Sequence, residues 1–298
     1  MRNHLAALAI AALAVLLAPP VTASAAVGQL DAVVNAAGYG RSADLPIGES
    51  RDGVALESSA VAFGTNLAPF QASAAPTPCT QVLANRAVVL TDHQGHQLTA
   101  CLTFVSFGQV NFYLPRANAP FVPHDSLIGE VRLVDTTNGN TVSRKPLPIR
   151  GITPGLFSAD STGFGLPAGY VLRVRADGSQ SQEPISGGVD LGPAGDRVFL
   201  VLYGTGIRLR TPGRNACVVF GGVVSGGEYR PGTFICGAQV PYAGPAPGIT
   251  AVDQVNVEVP RDVPDAIGAE VFLRVFLDDP GQAPAFARWS NVLSVAIR

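Results

Sequence analysis

One octapeptide pattern is written twice in this chain. GQVNFYLP occupies residues 108–115 and DQVNVEVP residues 253–260, about 145 residues apart. Each is preceded by a second landmark, VAFGTNLAPF at 61–70 and VLYGTGIRLR at 201–210. Gly64 lies 45 residues before Gln109, and Gly204 lies 50 before Gln254. Two landmarks in the same order at nearly the same spacing mark a duplicated unit. A repeat this long is a domain rather than one rung of a solenoid.

The repeated strand has two faces. Successive side chains of a strand point to opposite sides. Val110, Phe112 and Leu114 therefore share one side in the first copy, as Val255, Val257 and Val259 do in the second. Gln109, Asn111 and Tyr113, or Gln254, Asn256 and Glu258, form the polar back. Pro115 and Pro260 end the ladder because proline has no N–H to give it. The Gly-Thr pieces read as tight turns after a strand, with backbone freedom at Gly64 and Gly204 and positive φ at Asn66 and Gly206. The repeat of Gln and Asn points to structure: Gln109 with Asn111, and Gln254 with Asn256, are expected to satisfy buried backbone groups of a neighbouring loop.

The rest of the chain reads the same way. VALESSAVAFG (54–64), RAVVLTD (86–92), GEVRLVD (129–135), GYVLRVRADG (169–178), DRVFLVLYG (196–204), AEVFLRVFLDD (269–279) and SNVLSVAIR (290–298) are apolar strands bounded by Asn-Gly, Asp-Gly and Pro-Gly turns. Gly and Pro number 33 and 24, and charged residues are only 14%, a poor recipe for helices. No mature window of a dozen residues carries a 3.6-residue period. The fold class is all-β, a sandwich or barrel architecture.

The first 25 residues differ from the rest. Arg2, the apolar run Leu5–Leu17 and Ala23-Ser24-Ala25 have the form of a cleaved secretory signal peptide. The apolar run is too short for a span and is followed by Pro19-Pro20. The mature chain carries a net charge of −3 once Arg2 is removed. That balance gives no electrostatic reason to bind nucleic acid or to insert in a membrane. Export places the four cysteines in an oxidising compartment. Cys79 and Cys101 fall between the landmarks of the first copy, and Cys217 and Cys236 between those of the second. The repeat favours the bridges 79–101 and 217–236; free thiols are the alternative, and the spacing lacks the C-x-x-C of a metal site.

Eight pieces in order resemble a known family: VVNAAGYG (33–40), FGTNLAP (63–69), GQVNFYLP (108–115), ITPGLFS (152–158), RADGSQSQEPI (175–185), VFLVLYGTGI (198–207), DQVNVEVP (253–260) and SNVLSVAIR (290–298). Together they are similar to the Solibacter-type C-terminal domain family of secreted acidobacterial proteins. The Gly-Thr turn also resembles the Ig-like IPT/TIG fold. The resemblance implies a secreted tandem β-sandwich and implies no activity. The four cysteines and the long 211–250 region depart from the family pattern.

There is no G-x-S-x-G, no H-E-x-x-H and no P-loop. GFGLPAG (163–169) has the glycine spacing of a dinucleotide loop but contains a proline and leads into no helix. His93 and His96 flank a turn beside Asp92 and read as a solvated hairpin tip. Asp31, Asp44, Glu49, Asp253 and Glu258 are scattered acids without a calcium-loop spacing. Tyr113 and Trp289 are the candidate ligand-binding residues, since an aromatic ring next to amides can stack on a sugar or peptide. Tyr229 and Tyr242, in the Gly/Pro-rich 221–248, are further aromatics of interest.

The sequence reading is therefore two tandem Ig-like β-sandwich domains after a cleaved signal peptide (1–25), at 27–150 and 168–298, joined by a linker at 151–167. No enzyme activity, cofactor or metal is expected. The expected role is a secreted, non-catalytic interaction module of adhesion type, extracellular or periplasmic. Its partner would be an extracellular protein or a polysaccharide. A carbohydrate-binding protein is the alternative, and a hydrolase with an unrecognised site the second alternative.

Overall fold

The computed structural model describes residues 28–39, 53–124, 127–210, 216–222, 230–261, 270–279 and 286–298. The expected signal peptide, Tyr229, Asp44 and Glu49 lie outside the described residues, as does part of the 211–250 region. Within them the regular structure is nearly all strand, with two short 3-10 turns. The first ten strands are β1 (Gln29–Asn35), β2 (Val54–Ala55), β3 (Ser59–Thr65), β4 (Ala72–Ser73), β5 (Arg86–Thr91), β6 (Gln97–Thr99), β7 (Cys101–Val105), β8 (Gln109–Tyr113), β9 (Ile128–Asp135) and β10 (Thr141–Arg150). They form two sheets, ordered β1-β3-β8-β7-β4 and β2-β10-β9-β5-β6. All pairs are antiparallel except β2 with β10, which run parallel at Val54–Ile149 and Ala55–Arg150. Four strands of one sheet and three of the other reproduce the A-B-E-D and G-F-C orders of an immunoglobulin sandwich.

The remaining strands are β11 (Gly155–Leu156), β12 (Gly169–Val174), β13 (Gln180–Pro184), β14 (Arg197–Thr205), β15 (Ala216–Gly222), β16 (Arg230–Cys236), β17 (Tyr242–Pro245), β18 (Asp253–Glu258), β19 (Glu270–Asp279), β20 (Phe286–Trp289) and β21 (Leu293–Ala296). They form a second pair of sheets, β13-β12-β14-β18-β17 with β11 beside β14, and β16-β15-β19-β20 with β21 beside β19. A parallel bridge, Val189 to Ile297, stands where β2 meets β10 in the first pair.

The duplication is carried to the level of register. Phe63 faces Gln109 across β3 and β8, and Tyr203 faces Gln254 across β14 and β18. Gly64 lies opposite Leu30, and Gly204 opposite Leu156. A Cβ at Gly64 would run into the carbonyl oxygen of Gln29, and one at Gly204 into that of Gly155. The glycine recurs because a neighbouring backbone passes too close for a side chain. Asn66 and Gly206 both adopt positive φ, 53° and 73°.

Each sheet pair encloses its own core. Residues between Leu30 and Ile149 make one, and residues between Ile152 and Ile297 the other. Val110, Phe112 and Leu114 face the first, and Val255, Val257 and Val259 the second. At ~25 cal/mol per Å² of apolar surface, each fully buried side chain of this kind contributes about 1.5–3 kcal/mol.

The stretch 151–167 does not behave as the expected linker. Its Gly, Ser and Pro content suggested a loose connection, yet Ile152 and Leu156 are buried in the second core. Leu156 lies in β11, paired with β14. Where β1 carries a bulge between Leu30 and Ala32, the second pair inserts residues 157–168 between β11 and β12. The two cores are separated in sequence by Arg150 and Gly151 alone.

Both bridges form as the spacing suggests, Cys79–Cys101 and Cys217–Cys236. They are not equivalent positions. The first clips the segment after β4 onto the start of β7. The second joins directly opposed residues of β15 and β16 in the other kind of sheet.

Candidate functional site

An immunoglobulin-like sandwich has two ends, one where β3 stops and β8 begins and one where β3 begins and β8 stops. The first is here termed the loop end and the second the base. The base of the first sheet pair meets the loop end of the second. Ser59, the first residue of β3, donates its backbone N–H to Thr205 Oγ1 at 2.9 Å. Thr205 in turn donates to the carbonyl of Ala251 at 2.8 Å, and Ser59 Oγ donates to the same carbonyl at 3.2 Å. Thr77 and Thr250 pair their hydroxyls at 2.9 Å.

Asn35 closes this seam, and Asn291 braces the second side of it from within the second pair. Asn35 ends β1, accepts the N–H of Ala37 at 2.8 Å, and donates to the carbonyl of Thr153 at 2.6 Å. A Cβ at Gly155 would collide with the Asn35 side chain, so the glycine of ITPGLFS is needed for that approach. Asn291 holds Leu156 from both sides, accepting its N–H at 2.8 Å and donating to its carbonyl at 2.9 Å. It also donates to the carbonyl of Gly163 at 2.9 Å. Both asparagines are buried. Four of the eight sequence pieces, those holding Asn35, Gly155, Thr205 and Asn291, thus lie at or beside the seam.

The loop end of the first pair has no such cover among the described residues. Thr65 corresponds to Thr205 by register, and it is exposed where Thr205 is fully buried. Phe107, in the turn before β8, is 61% exposed and Phe70 is 55% exposed. The β4–β7 register, extended by two residues, places Phe70 across from Phe107. Two exposed aromatic side chains thus belong to one loop end.

The two loop ends are also closed internally by different chemistry. In the first pair Leu67 donates its N–H to the carbonyl of Phe107 at 2.9 Å. In the second, the equivalent N–H, that of Ile207, goes to the buried carboxylate of Asp253 at 2.7 Å. Arg208 binds the same carboxylate through Nε at 2.6 Å and the carbonyl of Val252 through Nη2 at 2.7 Å. Burial pushes the Asp253 carboxyl up, against the pull of Ile207 N–H and Arg208. In the sequence Asp253 looks like one scattered acid among several. The available signal was its place: it stands where the first copy has Gly108, directly ahead of a core-facing strand.

The sequence-predicted residues fall in separate places. Tyr113 is half-buried at the base of the first pair and donates to the carbonyl of Pro76 at 2.8 Å, holding the segment that carries Cys79. Trp289 lies on the outward face of the second pair, edge-on to Phe234, with ring centroids 6.1 Å apart and planes at 65°. The Gln and Asn pairs do not reach a loop. Gln109 donates to Asn111 at 2.6 Å and Gln254 to Asn256 at 2.8 Å, each on the half-exposed back of its strand. Side chains two apart on one face of a strand are within reach of each other, and that short path wins over the longer one to a loop. Tyr242 donates to the nearby carbonyl of Pro245.

Other polar groups are internally engaged. Asp92, at the end of β5, accepts N–H bonds from Gln94, His96 and Val122 and faces the His96 ring at 3.0 Å. Burial pushes its carboxyl up, but these donors outweigh that and hold it at about 2. His93 and His124 stack edge-to-face, 5.1 Å between centroids. Among the described residues no three His, Cys, Asp or Glu side chains converge as metal ligands. No described helix is long and apolar enough to cross a membrane.

No protein-family model matches the chain, and no curated protein matches it. Among solved structures it is similar to a tetra-tandem repeat from the extending region of a large adhesion protein. The identity is 13% over 83% of this chain and 74% of that one, with a TM-score of 0.19. An overlap that low carries no argument about either fold or role.

Proposed function

We propose that this chain is a secreted, non-catalytic interaction module of adhesion type, in which two Ig-like domains, 28–150 and 151–298, present the loop end of the first to a partner. One observation carries the reading. The loop end of the second sheet pair is buried under a sandwich base, while the equivalent surface of the first exposes Thr65, Phe70 and Phe107. The two disulfides suit an oxidising, extracellular or periplasmic setting. The likeness to the Solibacter-type family agrees with it and adds no activity.

The test is capture from envelope protein fractions by the oxidised mature chain, residues 26–298, beside a panel of insoluble polysaccharides. Saturable protein capture that falls at least about tenfold with Phe107→Asp is the expected result. The outward pair Phe234–Trp289 supports carbohydrate binding as a second reading. Its edge-to-face geometry offers a sugar only one ring face at a time. Polysaccharide binding that survives Phe107→Asp and is lost with Trp289→Ala would replace the first reading with the second.

A further inference from the structure

The outward face of β12-β14-β18-β17 carries a stripe of tyrosines. Val171, Leu200, Leu202, Val255 and Val257 point from these strands into the second core, so their sequence neighbours point away from it. One rung across the four strands sets Tyr170, Val201, Asn256 and Tyr242 side by side. The next rung toward the loop end sets Tyr203, Gln254 and Gly244 side by side. Three of the chain's six tyrosines thus share one sheet face. With neighbouring strands about 4.8 Å apart, Tyr170 and Tyr242 stand ~14 Å from each other, with Asn256 between them.

The stripe is a closed surface with polar groups to offer. Val201 is buried although it points outward, so the side chains around it close over it and leave no pit. Tyr242 reclines along β17, where a Cβ at Gly244 would touch its hydroxyl, Cζ and Cε1. Tyr170 and Tyr203 stand diagonally on adjacent strands; burial pushes the Tyr170 phenol up, and the neighbouring Tyr203 phenol adds to the shift. Among the described residues neither of these two hydroxyls is bonded to protein, and neither is shut off from solvent. Gln254 donates to Asn256, which orients both amides and leaves the Asn256 amide N–H groups and the Gln254 amide oxygen for another partner. Neither tyrosine rung carries a charged residue. On the base side Arg197 and Glu258 are matched to each other, at 2.9 and 2.8 Å.

The equivalent face of the first pair has the same frame without the tyrosines. Val61, Gln109 and Asn111 match Val201, Gln254 and Asn256 in register. Val34 stands in place of Tyr170, Phe63 in place of Tyr203 and Phe104 in place of Tyr242. The sandwich is therefore built without hydroxyls at these positions in one pair and with three of them in the other. Packing does not ask for them.

We propose that this stripe binds a neutral, extended polysaccharide chain laid across the strands, with sugar rings against the tyrosines and sugar hydroxyls on the phenols and amides. The surface is separate from the Phe107 loop end, and its ligand is a second activity beside protein capture. A pyranose has an apolar C–H face and a rim of hydroxyls, and a tyrosine offers a ring to the one and a phenol to the other. A charged chain gains nothing from rungs that hold no unmatched ion. A proline-rich peptide also seeks aromatic side chains, but it docks in a groove, and the surface closed over Val201 has none.

Native affinity gels containing a soluble neutral β-glucan, beside pull-down on cellulose, test the oxidised mature chain, with polygalacturonate as the charged control. Retention on neutral glucan that persists at high salt is the expected result. The triple variant Tyr170→Val, Tyr203→Phe, Tyr242→Phe writes the first pair's residues into the second, and an unchanged melting temperature verifies its fold. It should bind at least about tenfold more weakly. Tyr203→Phe alone removes a single hydroxyl, should weaken binding about two- to tenfold, and carries the test if the triple variant melts lower. Phe107→Asp and Trp289→Ala should leave retention unchanged. Failure to bind either neutral glucan overturns the proposal, as does retention that the tyrosine variants keep or that Trp289→Ala removes. A preference for polygalacturonate overturns it, and so does a proline-rich peptide held by the tyrosines in place of glucan. Protein capture through Phe107 is read separately, so the interaction reading stands or falls on its own.

Discussion

The two loop ends of this chain share a Gly-Thr turn, a strand register and a buried aliphatic after the turn, yet one is closed by backbone and the other by an ion pair. In the first, Leu67 N–H finds the carbonyl of Phe107 and the preceding residue of β8 is Gly108. In the second, Asp253 takes that N–H into a fully buried carboxylate and holds Arg208 beside it. The difference follows from what covers each end. A surface open to water can leave part of its polar groups to solvent. A surface buried under a neighbouring sandwich must satisfy them internally, because an unmatched buried group costs about 1–3 kcal/mol. Duplication preserved the turn; burial changed the chemistry that locks it.

The largest expected effect breaks this contrast at its centre. Asp253→Ala leaves Arg208 without its carboxylate and Ile207 N–H without its acceptor, and should lower stability by about 3–5 kcal/mol. Gly108→Ala, at the corresponding place, meets nothing closer than the Gly64 carbonyl at 3.6 Å. It should stay within about 1 kcal/mol of the parent. Urea unfolding of both variants measures the pair; equal losses would mean that the two ends are locked alike.

A pH series sharpens the contrast with a smaller effect. Asp92 in the first pair has its carboxyl lowered from 3.8 to about 2. Its folded state binds fewer protons than the unfolded chain, so its stabilisation is complete above 3.8 and is lost as pH falls through about 2. The contribution is about 2 kcal/mol. Asp253 is shifted the other way, so its ionisation opposes folding as pH rises. Acid therefore acts in opposite directions on these two carboxyls, removing the stabilisation at Asp92 and relieving the burial of charge at Asp253. Melting temperatures between pH 5 and pH 2 (about the range in which the two groups titrate) should show a slope that Asp92→Asn flattens. A slope unaltered by that substitution would assign the acid sensitivity elsewhere.

The smallest effect concerns the motif that first revealed the duplication. Asn256→Ala removes a partly exposed bond to Gln254 and should cost no more than about 1 kcal/mol. Asn111→Ala should match it in the first pair. A loss several times larger in only one of them would show that the two QVN strands do different jobs.

Much of the architecture was legible because it is local. Alternation along β8 and β18, positive φ at Asn66 and Gly206, and one bridge inside each unit all follow from residues close in sequence. The seam was not legible. Asn35 meets Thr153 across 118 residues, and Asn291 meets Leu156 across 135. Nothing in the neighbourhood of a buried asparagine announces a distant carbonyl. The stretch 151–167 was misread for a related reason: Gly, Ser and Pro suggested a linker, and the two residues that matter, Ile152 and Leu156, are only two apolar side chains among many. The Gln and Asn side chains were expected to reach a neighbouring loop, but each amide bonds the other of its own pair. Tyr113 was singled out as an aromatic beside the amides of its strand and Trp289 by residue type, and the fold places them in different sheet pairs.

The parallel patch of β2 on β10 has a mechanical meaning. The chain enters the first sandwich through β1 and β2 and leaves it through β10. Tension between the two ends therefore draws Val54–Ala55 and Ile149–Arg150 past each other along the strand axis. Bonds loaded in this shearing direction share the force and must yield together, whereas a hairpin peeled from its turn gives way one rung at a time. The bridge from Val189 to Ile297 puts the same arrangement in the second sandwich. A chain tethered at one end and held at the other would bear load through two short parallel clasps in series.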